Sequence, residues 1–125
     1  MVPKTAMELV QAAKAAIENL SAAQVATELS NGATLIDIRE PAEQIESGKI
    51  KGSVLAPRGM LEFYADENLP YHKPEFNKAK RIILHCASGG RSALATQTLL
   101  AMGYTNVAHL DGGIKAWKDA GFDVE

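Results

Sequence analysis

The residue with the most chemistry in this chain is Cys86, its single cysteine. It opens the stretch Cys86-Ala87-Ser88-Gly89-Gly90-Arg91-Ser92, in which only small residues, two of them glycine, separate the thiol from an arginine. A loop this small can curl until its backbone N–H groups point inward and make a cradle for an anion. The helix expected to follow adds the positive end of its dipole, and Arg91 adds a permanent charge on a planar fork of donors. All three effects favour a thiolate, the form in which cysteine is a nucleophile. An inert cysteine at a strand end would explain Cys86 but not Gly-Gly-Arg-Ser opening a helix beside it. A thiol nucleophile acting on an anionic substrate explains both.

Other chemistries find less support. One cysteine rules out an intrachain disulfide and every multi-thiolate metal site. His72 and His109 have no partners at metal-ligand spacing, so neither a metal nor a cofactor is expected. Thirteen Lys plus Arg against fifteen Asp plus Glu give a net charge of −2, which argues against a nucleic-acid binder. Glu8, Lys14 and Glu18 interrupt the N-terminal apolar residues, so no export signal is expected there. No apolar run approaches the roughly 18 residues of a membrane span, and the expected setting is the cytoplasm.

The elements that must position Cys86 can be read from the pattern of apolar residues. With 125 residues the chain is one domain's length, enough to bury about two thirds of its unfolded surface. Residues 6–19 read as a helix with Val10, Ala13, Ile17 and Leu20 on one narrow stripe; it is expected to dock on the rest of the chain, a dimer contact being the other use of such a stripe. Ser21 and Gln24 form a capping box for a second helix, which Asn31-Gly32 closes. Ala33–Ile38 is a short apolar run suited to a strand buried on both faces. A helix over Pro41–Ser47, a strand over Ser53–Ala56 and a helix over Arg58–Ala65 follow. Arg81–His85 is the clearest strand, and it leads directly into the Cys86 loop. A helix over Arg91–Met102, a strand over Val107–Leu110 and a helix over Ile114–Ala120 complete the chain. Strands alternating with helices predict a small, open, three-layer α/β/α fold with a mainly parallel sheet, preceded by a helical extension over residues 1–20. In such sheets ligands bind beyond the C-terminal ends of the strands, where Cys86 sits.

Over residues 21–125 the chain resembles single-domain rhodaneses (thiosulfate sulfurtransferases). The resemblance rests on four stretches. Asp37-Ile38-Arg39-Glu40 is similar to the family's Asp-x-Arg-Glu, and Gly48-Lys49-Ile50-Lys51-Gly52-Ser53 to its Gly-His-Ile-x-Gly-Ala, with Lys49 in place of His. Cys86–Ser92 takes the place of the family's loop, and Asp111-Gly112-Gly113 followed by Trp117 is similar to its Gly-Gly-x-x-x-Trp. Pro57-Arg58-Gly59-Met60-Leu61-Glu62-Phe63 also resembles a subgroup of small bacterial members. The resemblance implies a sulfur transfer in two steps, with Cys86 as nucleophile and persulfide carrier. The N–H groups of Ala87, Ser88, Gly89, Gly90 and Arg91 would hold the terminal sulfur, with Ser92 closing the loop. Thiosulfate would be the donor, and cyanide, a thiol or a protein partner the acceptor. The protein would work as a monomer or homodimer.

Two other readings stay open. One is a rhodanese-like module that carries persulfide or binds partners without useful thiosulfate turnover. The other is a phosphatase or arsenate-reductase-like cysteine enzyme, for which Cys-x4-Arg is one residue shorter than the Cys-x5-Arg of tyrosine phosphatases. Arg58, four residues from Glu62, is a candidate second cation for a dianionic donor, with Glu62 orienting it. Asp37 and Arg39 are expected to fix loops through charge-assisted hydrogen bonds. His85 should point away from Cys86, because neighbouring strand residues face opposite ways. Trp117 and Ile114 read as core, and Lys78, Lys80 and Arg81 as a solvated edge.

Overall fold

The computed structural model describes residues 2–125. Five parallel strands form one sheet: β1 (Asn19–Leu20), β2 (Thr34–Asp37), β3 (Val54–Leu55), β4 (Ile82–His85) and β5 (Val107–Leu110), in the order β1-β5-β4-β2-β3. α1 (Ala6–Ala16) precedes β1; α2 (Ala22–Ser30), α3 (Pro41–Ser47), α4 (Leu61–Ala65) and α5 (Gly90–Ala101) run between the strands; and α6 (Gly113–Asp119) follows β5. The expected α/β/α fold is therefore present, and the sheet is wholly parallel.

Alternation along the strands divides the core in two. Ile36, Ile82, Leu84, Cys86 and Val107 share one face with Leu61 and Ala65 of α4 and Ala95 and Leu99 of α5. Leu35, Ile83, Ala108 and Leu110 share the other with Val25 of α2 and Ile114 and Trp117 of α6. A strand covered on both sides has no polar face, which is why β4 reads as a continuous apolar run. After β2 the chain leaves toward the β3 edge, whereas after β4 it leaves toward β5. The loops following β2 and β4 thus flank the point where the winding reverses, and Cys86 opens the second of them.

The helix caps follow the sequence closely. Ser21 Oγ accepts from Gln24 N at 3.2 Å, and Gln24 Oε1 accepts from Ser21 N at 2.8 Å. The N-terminal segment differs from its expected form. α1 ends at Ala16, Ile17 is extended, and Asn19 and Leu20 pair with His109 and Leu110 as the edge strand β1. His109 N donates to Glu18 O at 3.1 Å and Asp111 N to Leu20 O at 2.9 Å, so pairing satisfies β5 groups that a longer helix would have left open. Val10 and Ala13 are buried against Ala93 of α5, with Ile17 and Leu94 beside them; Leu20 belongs to the opposite face of the sheet. The stripe docks on its own chain. The segment read as one helix over Arg58–Ala65 is divided as well, a 3-10 turn at Arg58–Met60 giving way to α4 where Met60 leaves helical geometry.

Candidate functional site

Cys86 follows the last residue of β4 and is 1% exposed. Its Sγ accepts from Gly89 N at 3.1 Å and Ser92 N at 3.4 Å, and Ser92 Oγ lies 3.5 Å away. Gly89 turns the loop into α5 with φ +101°, a conformation that glycine adopts without strain. Gly90 and Arg91 open α5, so their N–H groups have no intrahelical acceptor. Among the described residues, the N–H groups of Ala87 and Ser88 also have no protein acceptor. The thiol therefore sits among backbone donors, two of which it occupies, at the N-terminal end of a twelve-residue helix.

Ile114 N donates to Cys86 O at 2.9 Å and Lys115 N to Ala87 O at 3.2 Å, so the first turn of α6 clamps the outer side of the loop. Gly113 makes that approach feasible. A Cβ there would lie 2.5 Å from Ala87 C and O and 2.6 Å from Cys86 O. The Asp111-Gly112-Gly113 stretch, distant in sequence from the thiol, is the back wall of the thiol loop.

Arg91 departs from its expected use. Its guanidinium makes a two-pronged ion pair with Glu43 of α3, at 2.8 and 2.9 Å, and does not turn in toward Sγ. The bond from Arg91 brings the Glu43 carboxyl down to about 2 against the opposing effect of partial burial. Arg91 is itself raised, chiefly by Glu43 and to a lesser degree by the nearby Cys86. Its contribution at the loop is thus the backbone N–H and a field tempered by Glu43.

Asp37 and Arg39 form a buried pair, with Arg39 Nε to Asp37 Oδ1 at 3.0 Å and Nη2 to Oδ2 at 2.9 Å. Arg39 Nη2 also donates to Gly48 O at 2.8 Å, and Gln44 Nε2 to Asp37 Oδ2 at 2.9 Å. Burial pushes the Asp37 carboxyl upward, but the Arg39 bonds and Gln44 hold it below its ordinary value. Together these contacts tie α3, and with it Glu43, to the end of β2. His85 faces away from Sγ. Its Nδ1 lies 3.2 Å from Cys86 O and its Nε2 3.8 Å from Asp37 Oδ1.

Arg58 and Glu62 pair with each other at 2.8 Å, and Arg58 reaches Thr98 of α5 at 3.4 Å. Thr98 lies six residues beyond Ser92, about 9 Å along the helix. No hydrogen bond joins either residue to the Cys86 loop. The structure instead brings in a histidine whose place in the sequence offers no metal partner. His109 is fully buried, its Nδ1 2.8 Å from Ser92 Oγ and its Nε2 2.7 Å from Asn19 Oδ1. Alternation alone would put His109 on the same side as Val107; that this side is the Cys86 side follows only from β5 lying beside β4. Asn19 carries no sequence signal at all. Among the described residues no cluster of three His, Cys, Asp or Glu side chains could hold a metal, and no helix is long and apolar enough to cross a membrane.

Residues 21–120 match the model of a rhodanese-like domain. A sulfurtransferase of Allochromatium vinosum is 34% identical over 90 residues, covering 72% of this chain and 76% of the relative. The thiosulfate sulfurtransferase/rhodanese-like domain-containing protein 3 of Mus musculus is 32% identical over 88 residues; 66% of this chain aligns with only 56% of that longer protein. Among solved structures, a protein of unknown function from Rhodopseudomonas palustris, described as a possible tyrosine phosphatase, is 40% identical with a TM-score of 0.92. That similarity covers 100% of this chain and 97% of the other.

Proposed function

The chain belongs to the rhodanese-like domain family, and from that premise we propose that it is a sulfurtransferase working through a persulfide on Cys86. The observation that carries this reading is the thiol accepting from the backbone N–H groups of Gly89 and Ser92 at the N-terminal end of α5, in a loop with only four residues between Cys86 and Arg91. The Cys86 thiolate attacks the outer sulfur of thiosulfate. A new S–S bond forms, the S–S bond of thiosulfate breaks, and sulfite leaves with the electron pair. The outer persulfide sulfur now carries the negative charge, held by the N–H groups of Ala87, Ser88, Gly90 and Arg91. Donors fixed in place before the reaction stabilise that charge without rearranging. A cyanide, a thiol or a protein acceptor then attacks the outer sulfur and returns the thiolate. Ping-pong kinetics follow from the covalent intermediate.

Phosphoryl chemistry is the second reading, because the R. palustris protein of near-identical fold is described as a possible tyrosine phosphatase. Two observations weigh against it. A phosphate presents three oxygens and needs a wider cradle than one sulfur atom does. The Arg91 fork that would bind two of those oxygens is engaged by both oxygens of Glu43. One experiment separates the readings: thiosulfate loading followed by intact mass, cyanide turnover, and aryl phosphate hydrolysis, for the native chain and Cys86→Ser. A mass gain of one sulfur and cyanide turnover, both lost in Cys86→Ser, support the proposal. A stable persulfide with negligible turnover would instead make the protein a sulfur carrier. Aryl phosphate hydrolysis with no persulfide would overturn the sulfur reading altogether.

A further inference from the structure

Four side chains form a continuous chain of hydrogen bonds from the thiol to the N-terminal segment, and its polarity can be deduced. Asn19 Nδ2 donates to two carbonyls, Lys14 O at 2.9 Å and Ile17 O at 3.2 Å. Carbonyls only accept, so the amide cannot be turned round, and its Oδ1 is the atom facing His109 at 2.7 Å. His109 Nε2 must therefore carry a hydrogen. Burial depresses the imidazole to about 4, with Asp111 opposing that effect and Lys14 adding to it, so the neutral ring has a bare Nδ1. Nδ1 accepts the Ser92 hydroxyl hydrogen across 2.8 Å. With its only hydrogen committed, Ser92 Oγ meets Cys86 as an acceptor, and the thiol donates to it across 3.5 Å.

This order runs one way, from S–H to Oγ–H to Nδ1, and every link can reverse. We propose that His109, braced by Asn19, takes up the Cys86 proton through Ser92, so that the four residues act as a buried proton relay. The proposal rests on the reading of Cys86 as the nucleophile. The S–H bond breaks as a new bond to Ser92 Oγ forms; the original Oγ–H bond breaks as Nδ1–H forms. Thiolate and imidazolium result, net charge is unchanged and no further reactant is needed; the negative charge formed on sulfur raises the imidazole from the low value it has beside a neutral thiol. In the reversed state Ser92 donates to the thiolate, Nδ1–H donates to Ser92, and Nε2–H still donates to Asn19. No polar group is stranded in either state, which suits a thiol only 1% exposed. The charged groups around the ring are the Lys14–Asp111 ion pair at 3.0 Å, while Glu18 beside Asn19 is engaged by Arg81 at 2.9 Å. Cys86 and Ser92 are contributed by the β4–α5 segment and His109 by β5. Asn19, their last support, precedes the residues that match the family model.

The test is the rate of Cys86 alkylation by iodoacetamide as a function of pH in the native chain, His109→Gln and Asn19→Asp. Glutamine still accepts from Ser92 but takes no proton, and aspartate in place of Asn19 favours the imidazolium. Relay action lowers the rate in His109→Gln about tenfold or more at neutral pH and moves its profile to higher pH. The Asn19→Asp profile moves the opposite way, which a packing role would not produce. A His109→Gln profile that superimposes on the native one overturns the proposal. So does an Asn19→Asp profile that stays in place or moves to higher pH, the deciding result where His109→Gln fails to fold. Imidazole nitrogen NMR of the native protein adds a direct check: a hydrogen on Nδ1 of the resting His109 refutes the assigned polarity. Alkylation uses no sulfur donor, so absence of sulfur transfer would sink the functional reading and leave this result interpretable.

Discussion

Replacing Gly113 with alanine tests the claim that the cysteine loop is shaped from behind. Gly113 has φ +64°, where an alanine costs about 1–2 kcal/mol in backbone conformation alone. Its new Cβ would meet Ala87 C and O at 2.5 Å and Cys86 O at 2.6 Å. These are backbone atoms with no rotamer to escape into, so α6 and the loop must part by about 1 Å to reach ordinary contact. That separation weakens the bonds from Ile114 N to Cys86 O and from Lys115 N to Ala87 O, each worth about 1 kcal/mol. The sum is about 3–4 kcal/mol, a large share of the roughly 5–15 kcal/mol typical of a folded domain. Gly52→Ala is the matched control. Gly52 has φ +83° but nothing within 4 Å of its would-be Cβ, so it carries only the backbone term. Urea denaturation should therefore separate the two variants by about 2 kcal/mol. Thiosulfate–cyanide turnover of the folded fraction should fall about a hundredfold in Gly113→Ala, as misplacement of reacting groups by 1 Å commonly does, and should be unaffected in Gly52→Ala. Equal destabilisation and equal turnover in both variants would refute the clamp.

Glu43→Gln should flatten part of the acid limb of the stability curve. The Glu43 carboxyl stands at about 2 when folded against an ordinary 4.5, so its contribution is complete above about pH 4.5 and is lost as pH falls through about 2. The side chain is 29% exposed, and solvent screening limits the effect to about 1 kcal/mol. Denaturant midpoints at several acid pH values will show whether the gap between native and variant closes in that window. Arg58→Ala should leave both kcat and KM for thiosulfate within about twofold, because its partners are Glu62 and Thr98, and should cost only a few tenths of a kcal/mol. A selective rise in KM would make Arg58 a substrate contact.

Much of the local architecture could be read in one dimension. The Ser21–Gln24 box, the glycine stops and the apolar run of β4 each depend on neighbours within a few residues, so the sequence pattern contains their cause. The segment after Ala16 does not. Leu20 continues the helical stripe by spacing, yet with Asn19 it forms a strand because β5 offers unpaired backbone groups 90 residues away. The loop itself was visible as small residues between a thiol and an arginine. What Arg91 does with its side chain was not, because the answer lies in Glu43, 48 positions earlier.

The amino-acid order by itself determined that one thiol would stand at the end of a buried strand and the start of a helix, in a turn rich in backbone donors. Backbone donors come with every small residue in such a turn, so this property needs no distant partner. Tertiary structure alone decided which way those donors point, through α6 and the absent Cβ of Gly113. It also decided that Arg91 pairs with Glu43 and that Ser92, His109 and Asn19 line up as a hydrogen-bonded chain behind the thiol. Hydrogen bonds and ion pairs act over about 3 Å of space regardless of separation along the chain. They are settled only when the sheet places β5 beside β4 and α3 beside α5.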